Sequence, residues 1–174
     1  MSDLFHEDIP DGFIADVFEV MQQASWHTFQ VLTKRHERLA ALAPELPWPA
    51  NVWMGVSVES DRYAFRADHL RRTDAAVRFL SVEPLLGAVP RLTFDSLDWV
   101  IVGGESGGGA RPLELEWVRD VRDRAAAAGA AVFIKQLGSR WARSVGTAGK
   151  GHDLDAWPED LRVREMPERR PVTA

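Results

Sequence analysis

Five apolar runs, each closed by charged or strongly polar residues, constrain this chain more than any other feature. His27–Thr33 ends in Lys34, Val52–Val58 in Glu59 and Val77–Val82 in Glu83. Trp99–Val102 runs into Gly103, Gly104 and Glu105, and Ala131–Ile134 into Lys135 and Gln136. From Lys34 through Glu59, Glu83 and Glu105 to Lys135, the intervals are 25, 24, 22 and 30 residues. Each interval has room for one strand, one helix and two short loops, which predicts repeated βα units and a parallel sheet. Every strand of such a sheet ends on the same side. The closing residues therefore share the face where α/β proteins bind ligands.

Length sets how far the pattern can extend. The chain has 174 residues, 45% of them hydrophobic, enough for one sizeable core. A complete eight-unit barrel needs about 250 residues. The expected class is α/β: a partial (β/α) barrel of about five parallel strands over residues 1–137, then an irregular tail over 138–174. A net charge of −5 excludes a surface given over wholly to nucleic acid, while 21 Lys and Arg leave room for a local basic groove. With no cysteine, the chain cannot form disulfides or hold zinc or an iron–sulfur cluster through thiolates. Its opening, Met1 to Asp8, is acidic where a signal peptide is basic, and no apolar stretch reaches membrane-spanning length. A cytoplasmic location with no membrane partner is expected.

Between the runs, Pro10 and Asp11 suit the first turn of a helix whose apolar face is Phe13, Ile14, Val17, Phe18 and Met21. Leu39, Leu42 and Leu46 predict a short helix stopped near Pro44 and Pro47. Ser60 or Asp61 can cap a helix with Phe65 and Leu70 on its buried side. Pro84 forces Glu83 into an extended conformation. A looser connection over residues 85–98 and a flexible loop over Gly103–Gly109 follow. The next helix carries Leu113, Trp117, Val121, Ala125 and Ala128 on one face and stops at Gly129. Trp141, Trp157 and Leu161 are expected to pin the tail to the body.

The chemistry concentrates at the strand ends. Neighbouring parallel strands lie about 4.8 Å apart, so Glu59, Glu83 and Glu105 are placed to approach one another. Three carboxylates cannot all stay ionised in a dry pocket without a cation or donors. Lys34, Arg35 and Lys135 are the internal candidates; a metal or a ligand amine is the external one. The glycine-rich loop lacks the Gly-Lys-Ser/Thr ending of a phosphate-binding loop, and Glu105 within it would repel phosphate. The histidines, His6, His27, His36, His69 and His152, show no metal-site spacing; His6 stands close enough to Asp3 to join the rim. Gly104-Glu105-Ser106-Gly107-Gly108 has the letters of a nucleophile elbow, but the only later histidine is His152, in the tail.

The opening Met1-Ser-Asp-Leu-Phe-His-Glu-Asp-Ile-Pro is followed by Thr28-Phe-Gln-Val-Leu-Thr-Lys-Arg35 and Val52-Trp-Met-Gly-Val-Ser-Val-Glu59. Then come Phe79-Leu-Ser-Val-Glu-Pro-Leu86, Trp99-Val-Ile-Val-Gly-Gly-Glu-Ser-Gly107, Phe133-Ile-Lys-Gln-Leu-Gly138 and Trp157-Pro-Glu-Asp-Leu-Arg-Val-Arg-Glu165. Together they resemble a phage-associated bacterial family of unknown function whose members look like radical S-adenosylmethionine enzymes on a partial barrel. The resemblance implies an amino-terminal Cys-x7-Cys-x2-Cys segment holding a [4Fe–4S] cluster, with S-adenosylmethionine as cofactor. This chain has no such cysteines, so it resembles a member truncated at its amino end, with no cofactor held by this chain alone. Carried over residue by residue, the cofactor- or substrate-facing set is Asp3, Lys34, Glu59, Glu83, Gly103, Gly104, Glu105, Lys135 and Gln136, with no metal ligand and no catalytic residue assigned. Gly103-Gly104-Glu105 resembles the Gly-Gly-Glu that meets the amino group of the cofactor, although here it follows a late strand instead of an early one.

The expectation that follows is the carboxy-terminal portion of a radical enzyme acting on an unknown small molecule or nucleic acid, inactive alone. The alternatives are a non-catalytic module binding a ligand or partner at the same rim, or an enzyme using the carboxylates with a divalent metal. Absence of the first strands would leave the strand His27–Thr33 or its neighbour as an uncovered edge, completed by another polypeptide or self-associating.

Overall fold

Alternation within the apolar runs sorts their side chains onto two faces, and the computed structural model, which describes residues 3–168, shows both faces in use. Met1 and Ser2 of the opening motif and residues 169–174 of the tail lie outside that range. The five strands are β1 (Phe29–Thr33), β2 (Val52–Ser57), β3 (Val77–Val82), β4 (Trp99–Gly103) and β5 (Ala131–Gln136). They pair in parallel in the order β1-β2-β3-β4-β5. Strand order equals chain order, and since crossovers between parallel strands are right-handed as a rule, the connections fall on one face. This is the winding of a barrel segment; a doubly wound sheet reverses its order and is covered on both faces.

The outer face holds the main core. Val52, Met54 and Val56 of β2 alternate outward, continued by Val58 just beyond it and joined by Leu80, Val82, Val100, Val102, Val132 and Ile134 from the next three strands. Against them pack helix α1 (Asp11–Gln23) through Ile14, Phe18 and Met21, and helix α4 (Leu115–Ala127) through Val118, Val121 and Ala125. Each fully buried Leu, Ile or Val contributes roughly 1.5–3 kcal/mol. Two short helices, α2 (His36–Leu42) and α3 (Arg66–Leu70), cover β1 and β2 through Leu39 and Leu70. No helix joins β3 to β4. Leu85, Val89, Leu92, Phe94 and Leu97 of that connection are buried and fill a helix's place. Arg124 of α4 ties it down by donating to the carbonyls of Val89, Pro90 and Leu92.

The inner face is graded from bottom to top. Near the strands' amino ends, Trp53, Val77, Phe79 and Trp99 are buried together, with Phe133 against them. Trp99 stands 5.7–6.0 Å from the rings of Trp53, Phe79 and Phe133. Gly55 makes this layer possible, since a Cβ there would lie 2.4 Å from the ring of Phe79. Above come Ser57 and Ser81, then the charged strand ends.

Several local expectations need correction. Phe13 is 54% and Phe65 47% exposed, because α1 presents a second apolar stripe outward and Phe65 precedes α3 instead of facing its core. A single 3-10 turn, Asp61–Tyr63, takes up the residues expected to start that helix. Beyond residue 137 stands another short helix, α5 (Ser139–Ser144), and two 3-10 turns; Trp157 and Leu161 are buried in the main core. No helix of the described residues is long and apolar enough to cross a membrane.

Candidate functional site

The strand ends surround a cleft of about 800 Å³ floored by Phe79, Trp99, Ile101 and Phe133. Lys34, Glu83, Gly104, Glu105, Lys135 and Gln136 line its upper wall. Of the remaining residues expected there, Glu59 reaches the rim through its ion pair with Lys34. Asp3 sits at the end of β1, accepting from Thr33 Oγ1 at 2.7 Å and from the Lys34 N–H at 3.0 Å. It fastens the opening loop to the strand and offers the cleft no free carboxylate.

The three glutamates are held apart. Glu59, 7% exposed, is clamped between Lys34 and Arg66, whose Nη1 lies 3.0 Å from Oε2. Burial pushes its carboxyl up, but the hydrogen bond and charge of Lys34, its own backbone N–H and the charge of Arg66 outweigh that and hold it below the usual carboxylate range. Glu83 accepts from Lys135 Nζ at 3.0 Å and Gln136 Nε2 at 2.8 Å. Glu105 turns to Arg111, which donates through Nη2, Nε and its backbone N–H at 2.5–2.9 Å. Those bonds hold the Glu105 carboxyl down at about 2. Lys34 and Lys135 act as expected; Arg35 makes no side-chain bond among the described residues, and Arg66 and Arg111 take the place foreseen for it.

A one-residue register shift positions the cleft's most informative side chain. Val102 pairs with Ile134, but Gly103 pairs with Gln136, a bulge that swings Gln136 inward beside Lys135. A Cβ on Gly103 would lie 2.9 Å from Glu83 Oε1 and push that side chain aside, whereas Gly104 is required, since a Cβ there would lie 2.6 Å from the carbonyl oxygen of Leu137. The loop is therefore fixed at its start, with Gly104 N–H bonded to Gln136 O and Gly107 N–H to Ser139 Oγ; only residues 106–109 are exposed. Gln136 is 5% exposed, and its Nε2 donates to Glu83 Oε1 and to Gly104 O. Both partners only accept, so the amide orientation is determined. Its Oε1 is left as a buried acceptor with no donor among the described residues. A buried acceptor of this kind calls for a bonded ligand or water.

Other features lie outside the cleft. His36 and His69 meet with their Nδ1 atoms 3.1 Å apart, under Phe65. Partial burial, then the charges of His69 and Arg66, lower the His36 imidazole against the opposing pull of Glu37. A separation of 33 residues hid this pair from sequence spacing. Ser106 is exposed and without a histidine partner, so no nucleophile elbow forms among the described residues. Nor do the described residues contain a group of three His, Cys, Asp or Glu placed to hold a metal. The aromatic floor was the readable signal left unread: Trp53, Phe79, Trp99 and Phe133 each occupy an inward strand position.

A family model described as a protein of unknown function, DUF5131, matches residues 1–162. The chain belongs to that family. No curated protein and no solved structure matches it. Membership covers both the strands and their charged ends, so the rim geometry described above is that of a member of this family.

Proposed function

We propose that this domain supplies the ligand-binding rim of a radical S-adenosylmethionine-type enzyme of a phage-associated family, and that the rim reads the amine of an amino-acid-bearing ligand. The observation that carries the reading is the Glu83–Gln136 corner. A carboxylate and an unmet buried acceptor stand side by side above an aromatic floor. An ammonium group has donors for both, Lys135 can turn to the ligand's carboxylate, and Phe79, Trp99 and Phe133 can meet a flat ring.

S-adenosylmethionine has each of these parts, and Glu83, Gln136 and Lys135 are the residues that would hold it. Bound, it would supply a sulfonium. A [4Fe–4S] cluster does not fit these residues, because the chain has no cysteine. The thiolates of such an enzyme have to come from outside the 174 residues. The chain's own part is binding and orientation.

Calorimetric titration with S-adenosylmethionine tests the reading. Micromolar to low-millimolar binding, weakened tenfold or more by Glu83→Gln, is the expected result. No binding, or binding indifferent to that substitution, overturns it. The native protein's intact mass and iron content, measured from its source cells, show whether a cysteine-bearing segment accompanies it.

A further inference from the structure

Lys34 lines the ligand cleft and also a smaller pocket of about 350 Å³ just beyond the carboxyl end of β1. Lys34 and Glu83 follow strands two apart in the sheet, about 10 Å by strand spacing, so one ligand can reach both places. Lys34, Arg35, Arg38 and Arg66 line the pocket together with Glu7 and Glu37. Net charge does not single it out, since Glu59 answers Lys34 and Arg66, and Asp11 answers Arg38. Hydrogen-bond donors do. Arg66 spends one nitrogen on the protein: Nη1 donates to Ser57 O at 2.9 Å and to Glu59 Oε2 at 3.0 Å. Its Nε is buried with no acceptor among the described residues, and its Nη2 makes no bond among them either.

Nε and Nη2 form the edge by which a guanidinium grips an oxyanion with two parallel bonds. Elsewhere in this protein that edge is filled: Arg111 turns it on Glu105, and Arg119 on Asp160. On Arg66 it is open, and the guanidinium is stacked 4.1 Å from the centre of the Tyr63 ring. A buried donor of this kind calls for an acceptor. Neither Glu7 nor Glu37, both exposed, bonds to it among the described residues, and Arg35 beside it has a side chain without a bond among them. We infer that this pocket takes a phosphate group of the molecule brought to the cleft, two of its oxygens on the open edge of Arg66 and the others toward Arg35 and Lys34. A carboxylate has only two oxygens and would be used up by that edge; a phosphate has oxygens left for the remaining donors. That the phosphate belongs to the substrate rests on the reading of the cleft as the ligand-binding rim.

The test follows the Arg66 Nε–H signal by NMR while inorganic phosphate is added to the whole chain. The signal is expected to move and to saturate in the millimolar range. Arg66→Lys keeps a charge for Glu59 without the two-donor edge and should weaken phosphate tenfold or more, its folding checked by circular dichroism. Arg35→Gln, an exposed change that breaks no side-chain bond, should weaken it by at least threefold. Adenosine 5′-monophosphate should bind at least tenfold more tightly than adenosine. A ten-nucleotide single strand separates the two sources of such a group: tighter binding than the mononucleotide assigns a nucleic-acid backbone, equal or weaker binding a small phosphate ester. An Arg66 signal indifferent to phosphate, equal affinity for adenosine and its monophosphate, or phosphate binding unchanged by Arg35→Gln would each overturn the assignment. S-adenosylmethionine carries no phosphate, so its titration judges the cleft and the phosphate titration judges the pocket, and either can fail alone.

Discussion

The two edges of the sheet are treated in opposite ways. Along β5, residues 163–165 add an antiparallel return: Ile134 N–H bonds to Val163 O, Glu165 N–H to Val132 O, and the Glu165 carboxylate accepts from Val132 N–H. Arg164 then lies over the rings of Phe133 and Trp157, and Trp99 donates its indole N–H to Glu165 O. Along β1 no described strand pairs on the outer side, and Leu32 remains 39% exposed. A protein that fastens one edge with backbone, carboxylate and cation–π contacts has the means to blunt an edge. The edge along β1 has no such fastening among the described residues.

The largest test of the contrast is to remove the fastening. Trp157 is 2% exposed and donates to Gly151 O at 3.0 Å. Trp157→Ala should cost about 3–5 kcal/mol in urea-induced unfolding. A loss below about 1 kcal/mol would mean that the covered edge does not depend on its tail. A smaller effect is expected at the other edge, where Asp3→Ala strips acceptors from Thr33 Oγ1 and the N–H groups of Phe5 and Lys34. About 1–3 kcal/mol should be lost, by the same measurement.

Smaller still is Leu32→Lys, which should leave stability within about 0.5 kcal/mol. The Leu32 amide should exchange with solvent faster than that of Ile134. Slow exchange at Leu32 in the isolated chain would erase the asymmetry. The least disruptive test concerns the rim beside the fastened edge. Glu105 titrates near 2 because Arg111 holds its ionised form, whereas an ordinary glutamate titrates near 4.5. A depressed carboxylate favours the fold above its ordinary pKa, and this support fades as pH falls from about 4.5 through about 2. Arg111→Ala should return the Glu105 midpoint, followed by NMR, to about 4.5 and remove this pH dependence. An unmoved midpoint would remove Arg111 as its cause.

The parallel sheet was legible because strand ends are written locally: a period of two within each run, a polar stop, and a helix-length gap. Lys34, Glu59, Glu83, Lys135 and Gln136 consequently stand where their runs end. Their partners were less legible. Arg66 lies only 7 residues beyond Glu59, yet nothing in the local sequence singles it out from Arg62. Arg111 shares a glycine-rich loop with Glu105 and can be chosen only after the loop has folded back. Phe13 shows the opposite error, since apolar spacing marks a face as apolar without showing whether anything covers it.

By itself the sequence determined that five strands run parallel, that charged ends share one face, and that no thiolate chemistry belongs to this chain. Those properties depend on periodicity and composition, which local backbone physics converts directly into structure. Only the tertiary structure decided that a bulge at Val102 and Gly103 turns Gln136 into the cleft, that the three glutamates are divided among separate cations, and that, among the described residues, one edge is covered while the other has no pairing strand. Most of these depend on groups far apart in the chain meeting within a few ångströms, and the nearer pairs form only once a loop has folded back. Val132 and Glu165, 33 residues apart, show how far apart such partners can lie.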